Sequence, residues 1–532
     1  MKTRSLYISF IIAALAIGCS SNDDNVLAIP YIEENAPVVG PTPTFSSGSA
    51  DFSSFVAVGN SLTAGYSDGA LFAKGQAVSF SNIMAQQFSL AGGGEFTQPL
   101  MNDDVGGLLL GGQQIAGPRR IFDISNQVPV FASGSPSTDI MNISTGPYNN
   151  MGVPGAKSFH LLAPGYGSLS NFPVAANPYF VRMASSPDAT VIGDAMAKGP
   201  TFFSLWIGNN DVLGYATSGG DGSDPITDKA TFDFAMTTLV QTITSGGAKG
   251  IIANIPNVTD APYFTTVPYA PLDPTNPDFG PQIPTLNGIF GQLNQVYAFL
   301  GMPERSITFS QTAASAVVIH DESLVDVSAQ IEAVLNQSPE FPLFVQQFGL
   351  PAQAAPIVAN LLGTVYGQTR QASENDLLVL TSSNVIGTVN TDVMAFLQTQ
   401  GLTPELAGQF AVEGITLPLE DKWVLLPSEQ EEIAAATNEF NATIADLAGQ
   451  NDLAFFDVNT FFNEVASTGF QAGSAFMTAD YVTGGTFSLD GIHPSPRGNA
   501  VIANQMIGLI NAKYGSTIPS VNPVDYTGLY ID

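Results

Sequence analysis

The chain has 532 residues, enough for a large buried core, and 45% of them are hydrophobic while only 11% are charged. Asp and Glu outnumber Lys and Arg by 46 to 15, which gives a formal net charge of −31. A surface with this excess of negative charge repels phosphate backbones, so nucleic acid is not an expected partner.

The N-terminal segment has the pattern of a secretory signal. Lys2 and Arg4 give it a basic start, and residues 5–18 are uncharged and mostly apolar, too short to span a bilayer comfortably. Residues 15–19 (LAIGC) resemble the lipobox of bacterial lipoproteins, in which cleavage before the cysteine is followed by lipidation of its thiol. We therefore expect residues 1–18 to be removed and Cys19, the single cysteine, to carry a lipid anchor. The alternative is an ordinary signal peptide with a chance cysteine.

A polar segment follows Cys19. The acidic residues within 20–24 resemble the surface-export signal of Bacteroidota lipoproteins, or they form a simple polar tether. Residues 26–49 are rich in Pro, Gly, Ser and Thr, so residues 19–50 are predicted to be a flexible linker before a domain that starts at Asp51. These features predict a protein anchored by lipid in the bacterial cell envelope, at the outer membrane. If the export signal acts, the protein is expected to be exposed on the cell surface.

From residue 51 onward, apolar strands alternate with amphipathic helices. The predicted strands are residues 55–58, 201–207, 251–255 and 453–458. Apolar residues at helical spacing mark segments within 232–243, 286–300, 433–447 and 502–510. Ser495-Pro496 is typical of an N-cap followed by proline at the first helical position. This alternation predicts an α/β fold, a three-layer α/β/α sandwich with a mostly parallel central sheet.

Two regions interrupt the alternation and are predicted to be large inserts, near residues 68–150 and 257–431. The first is rich in glycine and poorly periodic. The second contains the apolar residues 341–366, which are expected to be packed helices of a subdomain, or alternatively a lid or acyl-binding wall. The core domain is expected to span residues 51–515, with a C-terminal tail at residues 516–532.

Two serines near the first strand compete for the role of a nucleophile. Residues 65–69 (GYSDG) fit the G-x-S-x-G pattern of a nucleophile elbow, with Ser67 at the centre. An elbow needs a strand that turns sharply into a helix, and the strand ends near Val58, well before Ser67. Ser61 follows the strand and the Gly59-Asn60 turn directly, at the start of the next helix. Ser61 is therefore the preferred candidate, and Ser67 is expected to be a loop residue.

A nucleophilic serine needs a base for its proton and hydrogen-bond donors for the developing oxyanion. His493, one of three histidines, lies directly before the last helix, and Asp490 three residues earlier can reach its ring in a turn. Asn210 follows the second strand, and Gly155 within residues 152–156 offers a backbone N–H with no side chain in the way. Each of these residues taken singly is equally typical of a cap, a turn or a surface pair.

Taken together and in this order, four segments resemble the sequence blocks of the SGNH, or GDSL-type, esterases and lipases. They are residues 59–62 (GNSL), Gly155, residues 208–211 (GNND) and residues 490–493 (DGIH). The resemblance covers about residues 53–514, although the inserts match only loosely. One departure is visible, because the family's usual Asp before the serine is Asn60 in this chain.

The resemblance implies a role for each residue. Ser61 is the nucleophile, and its own N–H, the Gly155 N–H and the Asn210 amide form the oxyanion hole. His493 acts as general base and then as general acid, and Asp490 orients its ring.

The function implied is that of a lipid-anchored carboxylic ester hydrolase, which forms an acyl-enzyme intermediate and needs neither a cofactor nor a metal. Its substrate would be an acylated glycan or a lipid. The alternative is a non-catalytic envelope lipoprotein that binds glycan or lipid on the same scaffold. No metal site is predicted, because His160 and His320 are isolated and residues 221–224 (DGSD) lack the EF-hand pattern.

Overall fold

A five-stranded sheet forms the centre of the structure, a computed structural model that describes residues 44–144 and 146–531. Its strands are β1 (Phe55–Gly59), β2 (Asn150–Gly152), β3 (Phe202–Trp206), β4 (Lys249–Ala253) and β5 (Ala454–Phe456). All neighbouring strands run parallel, in the order β5-β4-β3-β1-β2. The prediction of a parallel sheet is confirmed. Of its five strands, the short edge strand β2 is the one that was not predicted. Cys19 and the predicted signal peptide lie outside the described residues.

Both faces of this sheet are buried, because successive side chains of a strand point to opposite faces. Val56 and Val58 of β1 join one hydrophobic cluster, and Phe55 and Ala57 join another. The helices that contribute to these clusters are α1 (Phe80–Ser89), α2 (Lys229–Thr244), α3 (Pro427–Gln450) and α4 (Pro496–Tyr514). Helices α2 and α3 pack on the Val56 side, while α1 and α4 pack on the Phe55 side. The architecture is therefore α/β, with helices on both faces of a parallel sheet.

The second predicted insert has a hydrophobic core of its own, separate from the two clusters on the sheet. Its helices are Ile283–Phe299, Ser328–Gln337, Phe341–Gln346, Ala355–Tyr366, Thr391–Thr399 and Pro404–Gln409, and its paired strands are Val318–His320 with Thr369–Gln371 and Leu377–Leu378 with Val424–Leu425. Residues 341–366 form two of these helices, and Phe341 and Tyr366 are buried in the insert's own core. The apolar segment thus belongs to a packed subdomain.

The first predicted insert is less separate than expected, because α1 within it packs against α4 and the sheet. Two hairpins follow, Leu108–Leu110 with Gln113–Ala116 and Arg120–Asp123 with Val128–Phe131. The other α-helices are Ser61–Ala64, Ala73–Ala77, Pro178–Val181, Val191–Met196, Asn210–Thr217, Pro262–Thr265 and Val458–Ser467. A further hairpin pairs Phe470–Ala472 with Ala475–Met477.

The folded part is longer at both ends than the sequence suggested. It begins at Phe45, since the Ser49 N–H donates to the Tyr514 carbonyl at 2.8 Å and residue 50 joins the core. At the other end Ile518 is buried, and the Phe122 N–H donates to the Tyr530 carbonyl at 2.9 Å. Residues 45–50 and 516–531 are therefore parts of the domain. Among the described residues, no helix combines the length and apolarity that crossing a membrane requires.

Candidate active site

Ser61 lies where the chain leaves β1 and turns into a short helix. The chain passes close to its neighbours here, since a Cβ atom on Gly59 would lie 2.2 Å from the Thr63 hydroxyl oxygen and 2.3 Å from a backbone oxygen of β3. Asn60 caps the helix, because its Oδ1 accepts from the Leu62 N–H at 3.0 Å. The Asn60 Nδ2 donates to Asn209 Oδ1 at 3.1 Å, which an aspartate at this position could not do. Asn60 therefore shapes the turn that holds Ser61 and links it to the loop after β3.

A chain of hydrogen bonds joins Ser61 to a histidine and a carboxylate from the other end of the sequence. The Ser61 Oγ lies 2.8 Å from His493 Nε2, and His493 Nδ1 lies 2.9 Å from Asp490 Oδ2. The other carboxylate oxygen accepts from the backbone N–H groups of Ile492 at 2.9 Å and His493 at 2.8 Å. Burial alone would raise the pKa of Asp490, but the facing imidazole and these donors outweigh it and hold the pKa well below its usual value. Asp490 is thus an ionised partner for the ring.

The GYSDG segment contacts this carboxylate and the backbone beside it. The Gly69 N–H donates to Asp490 Oδ2 at 2.9 Å, and Asp68 Oδ1 accepts from the Leu489 N–H at 2.9 Å. The Ser67 hydroxyl makes a 3.4 Å hydrogen bond to the neighbouring Asp68 carboxylate. Asp68 itself has a φ of 53°, a conformation that few residues other than glycine adopt. Sequence reasoning missed these contacts, and the pattern that contains them pointed to a different chemistry.

We expect the free energy of unfolding of an Asp68→Asn variant to rise relative to that of the wild type by about 2–3 kcal/mol between pH 5 and pH 8. Burial, together with the charge of Asp490, raises the pKa of Asp68 from 3.8 to about 7. In this window the folded chain holds a proton that the unfolded chain has lost, so the wild type loses stability as the pH rises. Asparagine stays neutral throughout. Urea unfolding at both pH values measures the gap, and a gap independent of pH would contradict the expectation.

The predicted oxyanion donors lie on two connected loops. Gly155, with a φ of 78°, occupies the third position of a turn in which the Ala156 N–H donates to the Val153 carbonyl at 3.1 Å. The Asn210 Nδ2 donates one hydrogen to the Ala156 carbonyl at 2.8 Å, which leaves its second hydrogen for a ligand. Within residues 44–144 and 146–531, neither the Ser61 N–H nor the Gly155 N–H donates to a protein acceptor.

Two clefts of different character meet at His493 and Ile492. The first is mostly apolar and contains Ser61, Asn210, Leu62, Trp206, Leu213, Val258, Phe462, Phe487 and Pro494. The second, of about 350 Å³, has several hydroxyl side chains, one amide and one guanidinium in its lining, from Tyr66, Arg120, Tyr263, Thr381, Ser383, Asn384 and Tyr481. A molecule that reaches across the His493 ring would therefore meet an apolar surface on one side and hydrogen-bonding groups on the other.

The position of the site follows from the order of the strands. In an open parallel sheet, ligands bind beyond the carboxyl ends of the strands, at the point where the strand order reverses direction. Here that point lies between β1 and β3. Ser61 follows β1 and Asn210 follows β3. No family model, no curated protein and no solved structure matches this chain. The interpretation of the site therefore depends on its own geometry.

Proposed function

We propose that the protein is a serine ester hydrolase of the SGNH, or GDSL, type that is anchored by lipid through Cys19. The observation that carries the proposal is the continuous hydrogen-bonded chain from Ser61 through His493 to Asp490. A hydroxyl, an imidazole and an ionised carboxylate in this order form the general arrangement for nucleophilic acyl transfer. The lipid anchor depends on the sequence alone, because Cys19 lies outside the described residues.

The proposed steps of ester hydrolysis follow the Ser61 hydroxyl proton as it moves to and from His493. His493 Nε2 accepts the Ser61 proton while the Ser61 Oγ attacks the ester carbonyl, and Asp490 stabilises the imidazolium that forms. The N–H groups of Ser61 and Gly155 and the free hydrogen of the Asn210 amide are the available donors for the tetrahedral oxyanion. His493 then protonates the leaving alcohol, and an acyl-enzyme remains on Ser61. Water that gives its proton to Nε2 releases the acid and restores the serine.

The two clefts support an assignment of subsites. The apolar cleft beside Ser61 and Asn210 suits an acyl group, because its surface offers few hydrogen-bond partners. The second cleft offers three tyrosines, two hydroxyl side chains, an amide and the Arg120 guanidinium. A polyhydroxylated alcohol such as a sugar can use these groups, whereas a second acyl chain cannot. We therefore favour an acylated glycan over a lipid as the substrate class.

The proposal is tested by hydrolysis of p-nitrophenyl acetate and butyrate and of acetylated xylan by the purified chain. We expect release of the alcohol from the short esters, and we expect an organophosphorus serine reagent to modify Ser61 alone, as peptide mass spectrometry reports. The reagent should also abolish hydrolysis. A wild-type chain that hydrolyses none of these esters but still binds glycan or lipid would instead support the non-catalytic binding protein.

A further inference from the structure

Three carboxylates converge at a place that the proposed esterase chemistry does not use. Glu322, Asp421 and Glu429 each offer one oxygen, and these oxygens all lie within 4.8 Å of one another. Glu322 and Asp421 belong to the second inserted region, and Glu429, at the C-terminal end of that region, lies in the first turn of α3, which packs on the central sheet. The cluster therefore joins the insert to the sheet.

Two oxygens of the cluster are buried without a hydrogen-bond partner. The Glu429 side chain is nearly inaccessible, with Glu429 4% exposed, and its Oε2 accepts from the Leu426 N–H at 2.6 Å. Its Oε1 and the Asp421 Oδ1 are shielded from solvent and accept no hydrogen bond from the part of the chain that the structure describes. An unpaired buried carboxylate oxygen is costly, so these atoms require a partner such as a cation.

Within the described residues, two basic side chains that neighbour the cluster are already paired with other carboxylates. Lys422, the neighbour of Asp421, pairs with Glu420, and Arg370 pairs with Asp321 and Asp376. The carboxylates of Asp221 and Asp321 add further negative charge near Asp421. The concentration of carboxylates at a buried junction is thus electrostatically unfavourable unless a proton or a cation enters it.

The backbone is shaped to pass directly over the cluster. Gly219 and Gly220 have φ values of 69° and 82°, and a Cβ atom on Gly220 would lie 2.2 Å from the Glu429 carboxyl carbon. A Cβ atom on Gly219 would lie 2.2 Å from the Asp421 backbone oxygen. Glycine is therefore required at both positions to bring this loop against two of the acidic residues.

We propose that Glu322, Asp421 and Glu429 bind one Ca²⁺ ion that fastens the inserted region to the sheet. Ca²⁺ binds oxygen at about 2.3–2.6 Å, so ligands on opposite sides of the ion lie up to about 5 Å apart. Mg²⁺ demands near-ideal octahedral geometry, keeps several waters and usually binds through one or two carboxylates, whereas this cluster offers three. The cluster contains no histidine or cysteine, the ligands that Zn²⁺ prefers.

Isothermal titration of the EDTA-treated full chain with CaCl2 and with MgCl2 tests the proposal, together with thermal unfolding. We expect one tight Ca²⁺ site per chain, Mg²⁺ binding at least about tenfold weaker, and a melting temperature about 2–5 °C higher in saturating CaCl2. Glu429→Gln should weaken Ca²⁺ binding at least about tenfold and remove the thermal shift. Glu322→Gln, at an exposed side chain, should weaken it similarly without risk to the fold.

Glu431→Gln is the matched control, since it removes the same charge from an exposed position two residues away on α3. It should bind Ca²⁺ as the wild type does, which separates a specific site from loose attraction of cations to an acidic protein. The proposal is overturned if the wild type shows neither Ca²⁺ binding nor a thermal shift. That result is expected if the carboxylates share a proton and bind no cation. Unchanged affinity in both Glu429→Gln and Glu322→Gln would overturn it equally.

Discussion

Replacing Ser61 by Ala is expected to lower kcat for p-nitrophenyl acetate by about 10⁴- to 10⁶-fold. The variant keeps the Ser61 backbone N–H, the Gly155 turn and the Asn210 amide, but the acyl-enzyme can no longer form because the attacking oxygen is absent. The fold should persist, because the lost hydroxyl bonds only to the His493 side chain in the part of the chain that the structure describes. Alanine also has a high helix propensity, so the short helix that begins at residue 61 should still form. Initial rates, with circular dichroism to verify folding, measure the effect.

Ser67→Ala is the comparison that separates the two candidate serines. Its hydroxyl makes a single 3.4 Å hydrogen bond to Asp68, so its loss should change kcat by less than about tenfold. The elbow interpretation of GYSDG predicts the reverse order of effects. An inactive Ser67→Ala beside an active Ser61→Ala would therefore transfer the nucleophile to Ser67 and refute the mechanism proposed for Ser61.

The predicted elements that the structure reproduces best are those with a strong local pattern. The apolar runs that form β1, β3, β4 and β5 are short, continuous and bounded by turns, as strands of a buried parallel sheet must be. The three-residue strand β2 was missed because its pairing with β1 depends on partners far away in the sequence. Its residues, NMG, carry no strand pattern of their own.

The residues of the candidate site could be predicted from the sequence for a different reason. Ser61 and Asn210 follow recognisable strands, whose carboxyl ends share one edge of a parallel sheet, and His493 precedes a recognisable helix. The contacts of Gly69 with Asp490 and of Asp68 with Leu489 were out of reach, because they join segments about 420 residues apart. The local pattern offered an elbow or a loop, and only the tertiary contact with the segment before the last helix reveals the partner of these residues.

The domain ends and the acidic cluster show the same limit. Residues 45–50 have the composition of a linker, yet Ala50 joins the core because neighbouring aromatic side chains offer it a surface. Glu322, Asp421 and Glu429 are each ordinary acidic residues in the sequence, and their convergence depends on how the insert packs against α3. Composition describes how a segment behaves alone. In both cases tertiary contacts determine where the segment lies in the folded domain.

Asp490→Asn is expected to lower kcat by about 10⁴-fold while leaving Ser61 and His493 in place. In the wild type, Asp490 Oδ2 faces His493 Nδ1, so the ring donates from Nδ1 and keeps Nε2 free to accept the Ser61 proton. An asparagine has one oxygen. Two backbone N–H groups, of Ile492 and His493, point at the Oδ1 position, and among the described residues only the Gly69 backbone N–H points at the Oδ2 position, so the oxygen is expected to take the Oδ1 position. The amide nitrogen then faces Nδ1 and donates to it, which places the ring proton on Nε2. In that tautomer His493 cannot act as the base.

The same substitution also has a signature in stability. The lowered pKa of Asp490 means that its ionised form stabilises the fold above the usual carboxyl pKa, and that this contribution is lost as the pH falls through the lowered value. The wild type should therefore be more stable than Asp490→Asn at pH 7, with the difference shrinking under acidic conditions. Asp480→Asn, at an exposed carboxylate of the same segment, is the matched control and should retain activity and stability. If Asp490→Asn kept kcat within about tenfold of the wild type, the imidazole would not depend on this carboxylate, and the assignment of His493 as an oriented base would fail.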